Sequence, residues 1–177
     1  MIKKTILIFI FFLFVNQTYA KEDIMIMKLK DGDVIIELFS DIAPNHVKRF
    51  KQLANEKKYD GVVFHRVIDG FMAQTGDVEF GNPNLEGYDI RLAGTGGSKY
   101  PDLKAEFSDA SHEKGTLSMA RASSPNSANS QFFICLDLAP HLDRNYSVFG
   151  RVIKGMEFVD LIKRGEGSNG EVTDPDK

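Results

Sequence analysis

Apolar positions along the chain change period several times, and each change marks an element. From Ile24 to Phe39 (IMIMKLKDGDVIIELF) two runs rich in Ile, Val and Met meet at Asp31-Gly32, a pattern that predicts a β-hairpin. In the following APNHVKRFKQLANEKK, Val47, Phe50, Leu53 and Ala54 fall on one helical face, and Pro44 can occupy the first turn without losing a needed hydrogen bond. Short strand-like runs then recur: VVFHRVI from Val62 to Ile68, GTLSMA, QFFICL and SVFGRVI, separated by loops rich in Gly, Pro, Ser and Asn. A second helical pattern after Gly155 turns Met156, Phe158, Val159 and Ile162 inward and is predicted to end near Gly165 and Gly167. Two helices and about seven short strands predict a mainly β domain, an antiparallel sheet closed into a barrel with helical caps. The stretch from Val78 to Pro101 lacks periodicity and is rich in glycine, which predicts a long surface loop able to shape a binding surface.

The first twenty residues differ in kind. Lys3 and Lys4 precede an unbroken apolar run from Ile6 to Val15, followed by Asn16, Gln17 and the small-residue site Thr18-Tyr19-Ala20. This is the layout of a secretory signal peptide, and the run is shorter than the roughly 20 residues that span a bilayer as a helix. Residues 1–20 are therefore read as a cleaved leader, an uncleaved anchor being the lesser alternative, and residues 21–177 as one domain. The leader predicts export, to the periplasm in the first place and to the medium as the alternative.

Charge narrows the partners. The chain carries 22 Lys and Arg against 25 Asp and Glu, and without the leader's two lysines 20 basic residues face 25 acidic ones, a net charge of -5. No overall positive field exists to attract nucleic acid or anionic lipid, and a soluble protein that leaves the membrane after cleavage is expected. The single cysteine, Cys135, lies in an apolar run, so no intrachain disulfide can form and a buried, inert thiol is the simpler reading.

Familiar catalytic layouts are missing: there is no GxSxG elbow, no HExxH helix and no P-loop, since GTGGS at Gly94 to Ser98 lacks the lysine and the apolar helix that would follow. His46, His65, His112 and His141 form no ligand pair at helical spacing, so no metal is expected, and each reads as a surface or packing histidine. Rotation about an X-Pro amide needs no nucleophile. Its barrier of about 20 kcal/mol comes from amide resonance, and to lower it an enzyme needs an apolar slot for the ring, a grip on the flanking peptide and a positioned cationic donor favouring the twisted state. FHRVIDGFMAQTGD (Phe64 to Asp77) offers Arg66 in an otherwise apolar strand with Phe71, Met72 and Gln74 close behind; MARASSPNSANSQFFIC (Met119 to Cys135) offers Gln131 and Phe133 on one strand face. Taken alone, the first segment reads more simply as a surface arginine with Phe71 and Met72 in the core, and the second is no stronger a signal.

Together, in this order, the two segments resemble the signature stretches of the cyclophilin family of peptidyl-prolyl isomerases. The resemblance runs from about Ile24 to about Glu171 and takes in the hairpin, the APNHVKRF helix, the GTGG loop and the SVFGRV strand with its GMEFVDLI helix. It implies a closed eight-stranded antiparallel barrel with two helical caps, an outer-face groove, no cofactor and proline-containing peptides as partners; with the leader, unfolded exported proteins are the expected partners, and a monomer is expected. It also implies roles: Arg66 stabilises the twisted amide and Gln74 holds Arg66. Phe71, Met72, Phe133 and Leu142 form the proline pocket, with Tyr146 as an aromatic wall near it, while Gln131 and Ala120, Arg121 and Ala122 line the adjoining groove. A binding module of the same fold without turnover is the other reading, and Arg66 favours the enzyme.

Several positions depart from the family pattern. His141 stands where many members carry a tryptophan that anchors cyclosporin, which predicts weak cyclosporin binding. Tyr146 replaces a common histidine, and Arg121 replaces an asparagine; its charge could favour acidic substrate segments, or it could face solvent without a role. The 78–93 insertion bears on substrate preference. The sequence stops at DPDK, short of the family's usual last strand, which predicts an open edge along the first strand, with lower stability and edge pairing between molecules.

Overall fold

The computed structural model describes residues 23–176, so the leader assigned to residues 1–20 lies outside the described residues. Strands β1 (Asp23–Lys28) and β2 (Asp33–Leu38) form the hairpin, paired from Asp23 with Leu38 to Lys28 with Asp33. The Leu29 amide closes its turn on the Gly32 carbonyl at 3.0 Å. A Cβ at Gly32 would overlap the Phe158 ring packed against it, so any other residue there would have to displace that ring. Five more strands follow: β3 (Arg66–Ile68), β4 (Met72–Thr75), β5 (Thr116–Met119), β6 (Phe132–Cys135) and β7 (Val148–Lys154). All pairings are antiparallel, in the order β1-β2-β7-β5-β6-β4-β3.

Helix α1 (Pro44–Asn55) covers the inner face of this sheet. Its first backbone N–H groups have no side-chain cap from Ala43. Glu106 takes that place from a distant loop, accepting from the amides of Asn45 (3.1 Å) and His46 (3.1 Å), so that a carboxylate faces the positive end of the helix. Val47, Phe50 and Leu53 are buried as the periodicity predicts, with the Phe50 ring 5.1 Å from Phe132 and 5.2 Å from Phe149. Ile36, fully enclosed on β2, is part of the same core. Ile36→Val removes one buried methylene and is expected to cost about 0.5–1.5 kcal/mol, read from urea unfolding.

Three sequence expectations are revised. The predicted strand from Val62 to Ile68 is shortened to β3, because Val63 bonds loop groups instead of a strand: its amide donates to Gly81 and its carbonyl accepts from the Thr75 hydroxyl. The second helix, α2 (Met156–Asp160), stops earlier than predicted. Its last amides make three-residue bonds (Leu161 to Phe158, Ile162 to Val159), after which the Lys163 amide turns to the Asp176 carboxylate. The closed eight-stranded barrel is not formed among the described residues, which give seven strands in an open sheet. Segment 165–172 covers the outer edge of β3, with the Val67 amide donating to Gly170 at 2.7 Å and the Val172 amide to His65 at 3.0 Å. No described strand runs along the outer edge of β1. Between β1 and residues 59–64 a cavity of about 590 Å³ opens toward the core, with Met25, Met27, Phe50, Tyr59, Phe64 and Phe132 among its walls. It contains none of the candidate site residues.

Candidate active site

Strand register builds the site. Arg66 on β3 lies opposite Gln74 on β4, Gln74 opposite Phe133 on β6, and Phe133 opposite Ser118 on β5. Residues directly opposite one another share a face of the sheet, so these four form one row across four strands. The next row on that face holds Ile68, Met72 and Cys135, whereas the alternate row, Val67, Ala73, Ile134 and Leu117, points into the core. The outer face thus has its own small apolar cluster of Met72, Phe133, Cys135, Ala139 and Leu142, with Ile68, Phe71, Ala120 and Tyr146 packed around it.

Arg66 is fixed above this cluster. Its Nε donates to the Asn169 carbonyl at 2.9 Å, its Nη1 to Gln74 Oε1 at 3.3 Å, and the same Nη1 lies 4.0 Å from Met72 Sδ. Gln74 Nε2 in turn donates to Gln131 Oε1 at 2.9 Å, and Gln131 Nε2 to the carbonyls of Gly94 (3.0 Å) and Gly96 (2.8 Å). The amides of Gly94 and Gly96 donate to the buried Asp77 carboxylate. A continuous hydrogen-bonded chain therefore links the arginine to the base of the long loop. The same bonds dispose of the GTGG stretch as a phosphate cradle, because its amides already face the carboxylates of Asp77 and Glu79.

Aromatic rings wall the cluster. Phe71 follows the turn at Asp69-Gly70 and lies 5.3 Å from the exposed His141 ring; Leu142 is buried beside it. Tyr146 meets Phe133 edge to face at 5.8 Å, and the Arg121 guanidinium covers the Tyr146 ring at 4.5 Å. Arg121 also donates to the carbonyls of Asn145, Ala122 and Ser123, tying the two loops beside the cluster together. The structure brings together Arg66, Gln74, Gln131, Phe71, Met72, Phe133, Leu142, Tyr146, Ala120 and Arg121. His141 meets them at the edge through Phe71, and the exposed Ala122 is bonded through its amide to Ser127 and through its carbonyl to Arg121.

Beneath the cluster lies a feature the sequence did not single out. The fully buried His112 stacks on Phe133 (6.2 Å), with Nδ1 2.9 Å from Asp143 Oδ1 and Nε2 3.0 Å from Ser118 Oγ. Ser118 is fully enclosed, so the trio supports the pocket floor and has no access for a nucleophilic reaction. Asp143 lies 31 residues from His112, and no local spacing could have joined them.

Burial dominates the electrostatics. It pushes the Cys135 thiol up to about 12, in keeping with an inert packing residue. Burial lowers His112 against the opposing bond to Asp143, and it lowers His65 to about 4, with Asp77 opposing and Arg66 reinforcing. Burial also draws Arg66 down from its ordinary value, with the nearby Tyr146 hydroxyl opposing. Among the described residues no three His, Cys, Asp or Glu side chains come together as a metal-ligand set.

Residues 24–177 match the model of the cyclophilin-type peptidyl-prolyl cis-trans isomerase family. A probable peptidyl-prolyl cis-trans isomerase of Brucella suis is 57% identical over 157 residues, 88% of this chain and 80% of that protein; peptidyl-prolyl cis-trans isomerase B of Bacillus subtilis is 41% identical over 78% of this chain and 89% of its own. Among solved structures, a cyclophilin of Hirschia baltica superposes with a TM-score of 0.69 at 26% identity, covering 85% of this chain and 71% of that one. A Cryptosporidium parvum cyclophilin type isomerase, determined in the presence of the dipeptide Ala-Pro, superposes with a TM-score of 0.68 at 30% identity, covering 82% and 89%. The chain belongs to the cyclophilin-type peptidyl-prolyl cis-trans isomerase family, and it is an isomerase.

Proposed function

We propose that the outer-face cluster is the proline site of an enzyme that assists the folding of exported proteins, with Arg66 as the catalytic residue. The proline ring seats on Phe71, Met72, Phe133 and Leu142 against the Tyr146 wall. Gln131 and Ala120 to Ala122 line the groove for the flanking chain. Arg66, aimed across the pocket by Gln74, donates to the prolyl amide as it twists out of conjugation, so that a preorganised charge stabilises the transition state and no proton is transferred. A rate gain of about 10⁵ would require lowering the barrier by roughly 7 kcal/mol, which draws on the arginine together with desolvation of the amide in the apolar pocket. The observation that carries this reading is the Arg66 guanidinium fixed by Gln74 and Asn169 directly above Met72.

The leader-like first twenty residues support export, to the periplasm or beyond, and proline-containing segments of unfolded exported chains are the substrates that location would supply. Exchange NMR on a short Ala-Pro peptide with the chain from Lys21 tests the site. Cis-trans exchange accelerated at catalytic enzyme concentration supports the enzyme, and a folded protein that binds the peptide without accelerating it would leave a binding module. His141 replaces the indole that the resemblance assigns to cyclosporin binding, and loss of an aromatic anchor of that kind is expected to weaken affinity at least roughly tenfold against a tryptophan-bearing member. Calorimetric titration giving equal affinity would refute this.

A further inference from the structure

The arginines of this protein divide into two groups. Arg91, Arg144, Arg151 and Arg164 are each paired with a carboxylate. Arg49 is buried against Tyr100, with its donors on backbone carbonyls. Arg66 and Arg121 alone among the described arginines are solvent-accessible and have no carboxylate partner, and both stand beside Tyr146 at the proline pocket. In a chain with 25 acidic residues against 22 basic ones, two uncompensated guanidinium groups on one groove make a local positive field on a negatively charged molecule.

We propose, building on the isomerase reading of this site, that Arg121 makes it select X-Pro segments carrying an acidic side chain close to the proline. Backbone carbonyls of Ala122, Ser123 and Asn145 and the face of Tyr146 hold the guanidinium in place, so it is preorganised without being neutralised. Carbonyl partners fix its geometry and leave its full charge available, whereas a carboxylate partner would have cancelled it. The Arg121 charge lies 4.5 Å from the Tyr146 ring, and that ring lies 5.8 Å from Phe133 at the pocket floor. With about 3.3 Å per residue in an extended chain, the selected carboxylate falls within roughly three residues of the proline. Arg66 adds to the same field, but its donors face Gln74, Asn169 and the reacting amide, which leaves Arg121 as the group that reads the neighbouring side chain.

The test compares peptides with Glu, Gln or Lys at each of the three positions on either side of one Ala-Pro bond. Exchange NMR gives kcat/KM, and shift titration gives Kd for the same samples. At low salt the best Glu peptide is expected to exceed its Gln counterpart about threefold, and the Lys peptide to fall below both, a contrast that shrinks at 0.5 M salt, as expected for a partly exposed pair. Arg121→Gln is expected to remove most of the Glu-to-Gln contrast whatever becomes of the absolute rate, the remainder belonging to Arg66, while Arg121→Lys keeps more of it. Equal values for Glu and Gln peptides at every position in the unmodified protein would overturn the proposal, as would a ratio that survives Arg121→Gln undiminished. An acidic preference in Kd without accelerated exchange would sustain it and overturn the enzyme reading instead.

Discussion

Arg66→Ala is expected to lower kcat/KM for X-Pro isomerisation by roughly 10²–10³-fold, the usual effect of removing one preorganised donor from a reacting centre. KM should move much less, because the apolar cluster of Phe71, Met72, Phe133 and Leu142, the proposed seat of the proline ring, is left in place by the substitution. Stability should change little as well: the side chain is half-buried and its bonds to Asn169 and Gln74 lie at the solvent edge of the sheet. Arg66→Lys keeps a positive charge but cannot bond Asn169 and Gln74 from one rigid plane, so it should recover only part of the loss. Exchange kinetics on one Ala-Pro peptide, alongside urea unfolding of each variant, read both quantities. A variant that retains full kcat while folded would remove Arg66 from the chemistry.

Acidification is expected to destabilise the fold well before its carboxylates titrate, and His65 is the main source. Its ring is buried against Gly94, where a Cβ would come within 2.7 Å of it. Burial lowers its pKa to about 4 in the fold, against about 6.5 in an unfolded chain. Between these values the unfolded state binds a proton that the native state refuses, so stability is complete above pH 6.5 and declines as pH falls toward 4. The difference corresponds to roughly 3 kcal/mol. His112, also lowered by burial, adds in the same direction. The carboxyls of Glu106 and Asp143 are held below their ordinary range by bonds to His46, Asn45 and His112 that outweigh burial, and their contribution is lost only at lower pH. Urea unfolding at pH 7 and pH 4.5 should show the loss, and His65→Phe should remove most of it. An equal loss in that variant would assign the effect elsewhere.

Periodicity reached most of the fold. The hairpin at Asp31-Gly32, the face of α1 and strands β5, β6 and β7 follow from local patterns of apolar residues, because a strand or helix with one buried side must repeat at 2 or 3.6 residues. It misjudged places where distant groups complete a segment's hydrogen bonds. Val63 looks like a strand residue but bonds Gly81 and Thr75, and α2 gives way where Asp176 takes the Lys163 amide. The helix cap from Glu106 could not be read near Pro44, since the carboxylate arrives from 60 residues away.

For the site, the sequence by itself determined which residue types were present and put Gln131 and Phe133 on one strand face, because alternation is a local property of the chain, whereas β4, which carries Met72 and Gln74, was not among the strands it marked. Tertiary structure decided which of these residues meet. Register between β3, β4, β6 and β5 puts Arg66, Gln74, Phe133 and Ser118 in one row, and loop packing brings Arg121 over Tyr146 and Asp143 to His112. It also decided that two of seven arginines would face the groove without a counter-charge, because pairing depends on neighbours in space and the spacing of residues along one chain does not contain that information.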